Sequence, residues 1–128
     1  EIAACAGFLE RQLALLQPVI IAPLGRHALR AFAPEAKISE AHGAPFQGET
    51  RQTPVGTTLF PLYHPAAALH NGALRPTLER DMGALSRALP AARSAWRVAR
   101  GGAGEASLSE IEAAAERDQL RLFESEAQ

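Results

Sequence analysis

The stretch TTLFPLYHPAAALHN, residues 57–71, decides the fold, because within it the pattern of a strand gives way to the pattern of a helix. Its beginning, TTLFPLY, is rich in β-branched and aromatic side chains, which is typical of a strand. The following PAAAL predicts a short helix that begins with proline, whose missing N–H is not needed there. His64 therefore lies at the carboxyl end of a strand and at the start of a helix. Ligands of open α/β sheets bind at this edge.

The rest of the body alternates helices and strands. EIAACAGFLERQLALLQ predicts a helix that ends near Gln17, before Pro18, and VIIAP predicts a buried strand. A turn at Gly25 leads into the short helix RHALRAFA, and RPTLERDMGALSRAL predicts the last helix of the body. The expected apolar residues are Ile2, Cys5, Leu9, Leu13 and Leu16 on the first helix, and Leu78, Met82, Leu85 and Leu89 on the last.

This order of elements predicts an α/β fold, a three-layer α/β/α sandwich with a mostly parallel sheet. Two or three strands are few for such a sheet, and the chain begins at Glu1 inside a helix pattern. We therefore expect that an N-terminal part of the domain is missing. Residues 1–93 are predicted to form half of this domain, residues 94–106 a flexible linker around GGAG, and residues 107–128 a helical, acidic tail with a capping box at Ser107 and Glu110.

Composition and charge restrict the class of protein. No apolar run approaches the roughly 20 residues that a membrane-spanning helix needs, so no membrane is expected as a partner. A single cysteine excludes an internal disulfide and favours a reducing cytoplasm. Residues 1–104 carry eleven basic and seven acidic side chains, a balance of +4, whereas residues 105–128 carry two and seven, a balance of −5. A mildly basic body of this kind is able to meet a polyanion.

Few side chains suggest chemistry by their pattern alone. Four histidines and one cysteine do not make a hydrolase triad or a zinc site, and no glycine-rich phosphate loop is present. His27 lies on a helix among apolar residues, which predicts a structural role, and His42 before Gly43 is interpreted as a loop residue. His64 is the best candidate by position, and the alternative is that it only caps the helix that follows.

Two blocks together resemble the C-terminal half of the family-4 uracil-DNA glycosylases, which are iron–sulfur enzymes that excise uracil from DNA. The blocks are EIAACAGFLERQLALLQPVIIAPLG and LFPLYHPAAALHNGALRPTLERDM, and the resemblance extends from Glu1 to about Leu89. It implies that Cys5 is one of four cysteine ligands of a [4Fe–4S] cluster, whose other three ligands precede this chain. The family's Gly-rich acidic motif, its uracil-stacking aromatic residue and its base-reading Asn are also absent here, so this chain alone is expected to be inactive.

The resemblance also assigns residues that contact substrate and DNA. His64 and Pro65 match the start of the motif that recognises uracil and wedges into DNA, which implies substrate or DNA contacts for His64, Pro65, Ala66 and Leu69 and a catalytic role for His64. This chain has Ala68 where the family often has a bulky apolar residue, and His70 where it often has Arg. Leu69 is the nearest replacement for the wedge that fills the gap left by a flipped base.

The chemistry of uracil excision fits a histidine at this place. Breaking the N-glycosidic bond leaves uracil as an anion, whose charge lies largely on O2 and O4. A hydrogen-bond donor held near such an oxygen stabilises the transition state more than the ground state. The start of a helix favours the neutral imidazole as that donor, and its free backbone N–H groups are expected to bind a DNA phosphate.

The tail contains QLRLF, residues 119–123, which resembles the short peptide that many bacterial replication and repair proteins insert into the sliding clamp. Leu120, Leu122 and Phe123 would fill an apolar pocket, Gln119 would supply a directional hydrogen bond, and Arg121 would face solvent. The linker would let the tail hold a partner while the body searches DNA. The alternative is that Leu122 and Phe123 fold back on the body as a hydrophobic clasp.

Three functions therefore stay open at this point. The favoured one is a monomeric, cytoplasmic bacterial glycosylase that excises uracil from single- or double-stranded DNA in base excision repair. The second is a non-catalytic α/β interaction module that docks another repair protein. The third is a member of the same superfamily that forms a covalent adduct with DNA, whose distinguishing residues would precede Cys5.

Overall fold

The computed structural model describes residues 2–48, 50 and 52–101. Helices form most of this part of the chain, with short strands among them. The elements are α1 (Ile2–Leu16), β1 (Ile20–Ile21), α2 (Gly25–Phe32), α3 (Ile38–Ala41), β2 (Phe46–Gln47), β3 (Thr58–Leu59), α4 (Pro65–His70), a 3₁₀ turn (Gly72–Leu74) and α5 (Arg75–Ala99).

The described strands form one small mixed sheet in the order β1-β3-β2. β1 is parallel to β3, with Ile21 opposite Leu59, and β2 is antiparallel to β3, with Phe46 also opposite Leu59. The predicted parallel pair is therefore present. The antiparallel strand β2 is not predicted by the sequence, because Phe46 and Gln47 lie in a segment rich in glycine, proline and threonine that is typical of a loop.

The end of α1 follows the sequence signal. Gln17 has a left-handed backbone (φ 46°), and its N–H donates to the carbonyl of Leu13 at 2.9 Å. Pro18 follows and disfavours helical geometry in the residue before it. The predicted end of the first helix near Gln17 is thus confirmed.

The core lies around the central strand. Residues 57–62 are buried without a break, which indicates that both faces of β3 are covered. Leu13, Phe32 and Leu59 form a buried cluster on one face, against which Leu9, Ile21, Ala31, Ala33 and Phe46 pack. Some predictions of burial are wrong in the described part of the chain, and Cys5, expected on the apolar face of α1, is exposed. Leu16 is 75% exposed, and β1 is only half-buried, because it lies at the edge of the sheet.

Helix α5 differs from its prediction in length and in its buried side. It continues through Pro90 to Ala99, and so it occupies the first part of the range 94–106 that the sequence predicts as linker. The extension is anchored by the Trp96 indole N–H, which donates to the carbonyl of Gln17 at 3.2 Å. Met82 and Leu89, both predicted on the apolar stripe, are 50% and 36% exposed, whereas the buried residues of the helix are Asp81 and Ala92.

Candidate active site

The site begins where two strand-to-helix turns meet. β1 leads into α2 and β3 leads into α4, and because the two strands are parallel, both turns lie at the same edge of the sheet. A single bridge between Leu24 and Leu62 extends the pairing to this edge. The N–H of Gly25 then donates to the carbonyl of Leu62 at 2.8 Å. The carboxyl edge predicted from the His–Pro turn is thus formed by both turns together.

His64 is the N-cap residue of α4. Its backbone is extended (φ −63°, ψ 132°), and its Nδ1 accepts a hydrogen bond from the N–H of Ala66 at 3.1 Å. A neutral imidazole has one donor and one acceptor nitrogen. Because Nδ1 accepts, the proton of the neutral ring lies on Nε2, and the side chain is exposed. The capping role and the donor role are therefore compatible, since each uses a different ring nitrogen.

The expected anion site at the start of α4 is not formed by its first residues. Pro65 has no N–H, the N–H of Ala66 is bound to His64 Nδ1, and the N–H of Ala67 donates to the His64 carbonyl at 2.9 Å. The prediction of free N–H groups for a DNA phosphate is wrong for these three residues. The physical reason is that the histidine cap itself takes the donor that a phosphate would need.

Gly25 is packed directly against His64. It has a left-handed backbone (φ 84°), and a Cβ placed on it would lie 3.2 Å from the Cβ of His64. Any other residue would be strained in this conformation and would press on the histidine. Gly25 therefore helps to define where His64 stands.

The remaining predicted DNA-contact residues all lie on α4. Pro65 is exposed, Ala66 is half-buried, and Leu69 is 86% exposed. The exposure of Leu69 leaves its side chain available for a wedge role, although one exposed leucine is ordinary for a protein surface. Ala68 is half-buried, and His70 is exposed at the end of the helix.

Cys5 lies on α1 as an exposed free thiol. Among the described residues, no three His, Cys, Asp or Glu side chains come together as a metal site would require. A [4Fe–4S] cluster is held by four thiolates, and the chain has one cysteine. The residues of this chain alone therefore do not fit the cluster that the resemblance implies.

The predicted clamp-binding residues 119–123 lie outside the described part of the chain.

The sequence analysis missed a second polar pair near the same edge. His42 Nδ1 lies 2.6 Å from Asp81 Oδ2, and Asp81 is buried, so His42 is more than a loop residue. A signal was present, because Asp81 is spaced three residues from Leu78 and four from Leu85, which places an acid within the apolar stripe of α5. His27, predicted to be structural, is exposed and accepts a hydrogen bond from Arg26 at 3.3 Å.

Fold and site together define an α/β protein with an exposed histidine N-cap at the carboxyl edge of its sheet. Within the described part of the chain, no helix has the length and apolar character needed to cross a bilayer. The family model of the uracil DNA glycosylase superfamily matches residues 1–83, and the chain belongs to this superfamily.

The chain is similar to two curated archaeal proteins of that superfamily. It is 36% identical over 86 residues to the Type-4 uracil-DNA glycosylase of Sulfurisphaera tokodaii, which covers 63% of this chain and 38% of the relative. It is 34% identical over 92 residues to the Type-4 uracil-DNA glycosylase of Saccharolobus solfataricus, which covers 70% of this chain and 43% of the relative. The chain thus spans about two fifths of the length of these relatives. The family match includes Cys5 and His64 and ends before the tail.

Proposed function

We propose that the complete protein to which this chain belongs is a uracil-DNA glycosylase, a hydrolase that excises uracil from DNA in base excision repair. The observation that carries the proposal is the His64 cap: Nδ1 accepts the Ala66 N–H at 3.1 Å, which leaves Nε2–H as a donor on an exposed ring at the sheet edge. Membership of the superfamily and the names of the two relatives support the same reaction.

In this reaction, the bond between C1′ of deoxyribose and N1 of uracil breaks and the bonding electrons leave with the base. Water adds to C1′ and supplies one proton to the released uracil, so that the products are free uracil and an abasic site. The part of His64 is to donate from Nε2 to a uracil oxygen while negative charge develops there. The cap fixes the tautomer before substrate arrives, which spares the reorganisation of a freely rotating ring.

Contacts to the DNA backbone are proposed to come from side chains, because the first N–H groups of α4 are occupied. Arg26 is exposed in the first turn of α2, next to Gly25 and therefore at the same edge as His64. Arginine binds phosphate by parallel hydrogen bonds, which suits this place. Pro65, Ala66 and Leu69 would face the DNA on the other side of His64, with Leu69 as the wedge.

The whole domain is proposed to be a three-layer α/β/α sandwich, of which residues 1–93 are the C-terminal half. The unbroken burial of residues 57–62 supports helices on both faces of the sheet. Cys5 is proposed as one ligand of a [4Fe–4S] cluster whose other ligands would lie upstream. The exposure of its thiol supports this, because a ligand shared with another segment must be accessible to it.

The tail is proposed to bind the sliding clamp through Gln119, Leu120, Leu122 and Phe123, in a monomeric enzyme of a bacterial cytoplasm. The support comes from the sequence, in which an acidic segment follows the glycine-rich GGAG and contains QLRLF near its end. Clamp binding would raise the local concentration of the enzyme at the replication fork.

The function is tested with the complete protein and an oligonucleotide that carries one uracil. With enzyme in excess, we expect release of free uracil and an abasic site that alkali cleaves, from single-stranded or double-stranded substrate. A matched oligonucleotide with thymine is the control. A product that keeps the protein attached to DNA under denaturing conditions would favour the adduct-forming alternative, and binding without either product would favour the interaction module.

A further inference from the structure

The pair of His42 and Asp81 lies beside the residue that precedes His64. The His42 ring stands 4.5 Å from the ring of Tyr63, measured between centroids, at an interplanar angle of 40°. Tyr63 follows the strand β3 and immediately precedes the cap residue His64. A buried acid on α5 is thus connected through one imidazole and one phenol ring to the backbone of His64.

Each contact in this connection is well defined. His42 Nδ1 and Asp81 Oδ2 are 2.6 Å apart, and the side chains are 19% and 5% exposed. An ionised carboxylate only accepts hydrogen bonds, so the Nδ1 proton lies on His42. Arg80 also lies near Asp81, but its Nε is 3.7 Å from Oδ1, and its side chain is largely exposed. The histidine is therefore the close partner of the buried acid.

Gly43 explains why the acid and the imidazole fit so closely. It has a left-handed backbone (φ 72°), and a Cβ at this position would overlap the Asp81 carboxyl group. Its N–H donates to the carbonyl of Pro61 at 2.9 Å, which ties the turn to the chain just before Tyr63. The turn after α3 is thus held from two sides, by Asp81 through His42 and by the segment that follows β3.

We infer that His42 is a positioning residue for the His64 donor, and that Asp81 orients His42 for this task. His42 contacts Tyr63 and not the reacting atoms, so it acts through the Tyr63–His64 backbone. A carboxylate that fixes one imidazole nitrogen holds the ring in one tautomer and one orientation. The oriented His42 ring then limits the movement of Tyr63, and therefore also the movement of the next residue, His64. The expected change in excision rate rests on the proposed function, whereas the expected change in the position of the His64 ring does not.

The test uses His42→Asn in the complete protein. Asparagine can place its amide nitrogen near the position of Nδ1 and so keep a partner for Asp81, while it removes the ring from Tyr63. We expect the single-turnover excision rate to fall by about 10-fold to 100-fold, the cost of a displaced catalytic group, with unchanged affinity for uracil-containing DNA. Introduced into a His64→Ala protein, the same substitution should slow excision no further. Glu35→Gln is the control, because Glu35 is exposed after the end of α2 and lies outside this connection.

A second measurement is independent of activity. Nitrogen-15 shifts of the His64 ring should report the Nε2–H tautomer in the wild type and a mixture of tautomers in His42→Asn. If His42→Asn does not fold, Tyr63→Leu removes the same ring contact from the other side and keeps the His42–Asp81 bond.

The outcomes separate the two proposals. A wild-type protein that releases no uracil refutes the proposed function, whereas the His64 ring shifts still decide the positioning role. Unchanged ring shifts in the ring-removing variant overturn the positioning role, whatever the rate. An equal slowing of the wild-type and His64→Ala proteins also overturns it, because His42 would then act independently of His64.

Discussion

Replacing His64 by asparagine separates the two uses of its ring. His64→Ala removes the cap and the donor together, so a loss of activity in that variant has two explanations. Asparagine is among the best N-cap residues, and its short side chain can accept the Ala66 N–H as Nδ1 does. It has no atom at the place of Nε2. His64→Asn therefore keeps the start of α4 and removes only the donor.

The expected magnitudes follow from these two contacts. Loss of a cap costs about 0.5–2 kcal/mol of stability, so His64→Ala should unfold at a lower temperature than the wild type. His64→Asn should be as stable as the wild type. Loss of one donor to a developing oxyanion costs about 10²–10³ in rate, or roughly 2.7–4 kcal/mol, and this loss should be equal in both variants.

The assay is single-turnover excision by the complete protein, with enzyme in excess over a uracil-containing oligonucleotide, alongside thermal unfolding of each variant. Binding to the same oligonucleotide is measured to show that the substrate is still held. If His64→Asn releases uracil at the wild-type rate, the donor has no part in the reaction. If only the less stable His64→Ala is slow, the histidine is a cap and nothing more.

Three further predictions follow from other contacts. Gly25→Ala should lower the stability of the fold by about 1–2 kcal/mol and slow excision, because alanine is strained at φ 84° and presses on His64. Gly72→Ala is the control and should change neither quantity, because a Cβ at Gly72 meets nothing within 4 Å. Equal effects of the two substitutions would contradict this account. Cys5→Ser in the complete protein should lower the iron–sulfur absorbance, and an unchanged iron content would refute its role as a ligand. Residues 105–128 fused to an unrelated carrier should bind the sliding clamp, and Leu122→Ala with Phe123→Ala should abolish binding; if that pair instead destabilises the body of the intact chain, the clasp is correct.

Local signals in the sequence predicted the parts of the fold that local interactions determine. The end of α1 at Gln17 and Pro18 needs no distant partner, and neither does the strand-to-helix turn at His64 and Pro65. Because both turns follow parallel strands, the position of the candidate site could be predicted before any contact was known. Which nitrogen of His64 caps the helix could not be predicted from the sequence, because it depends on the hydrogen bond that Nδ1 accepts from Ala66.

Contacts between distant residues account for what the sequence did not predict. β2 exists because Phe46 pairs with Leu59, and composition gives no sign of this pairing in a loop-like segment. Helix α5 continues through Pro90 because the loss of one N–H is offset further on, where Trp96 bonds to the end of α1. The partner of Asp81 is a histidine 39 residues earlier in the chain, so spacing along a helix can reveal a misplaced acid but not what binds it.

The choice of histidine at the cap is itself evidence about function. Serine, threonine, aspartate and asparagine are the preferred N-cap residues, and any of them would satisfy the Ala66 N–H without a ring. Histidine also accepts this hydrogen bond, and it adds a second ring nitrogen on a side chain that is exposed. Gly25 has no side chain, and it adopts a backbone conformation that other residues avoid, at the point where it packs against the Cβ of His64. Capping alone explains neither feature, whereas an imidazole whose Nε2–H must stand at a fixed place on an open edge requires both.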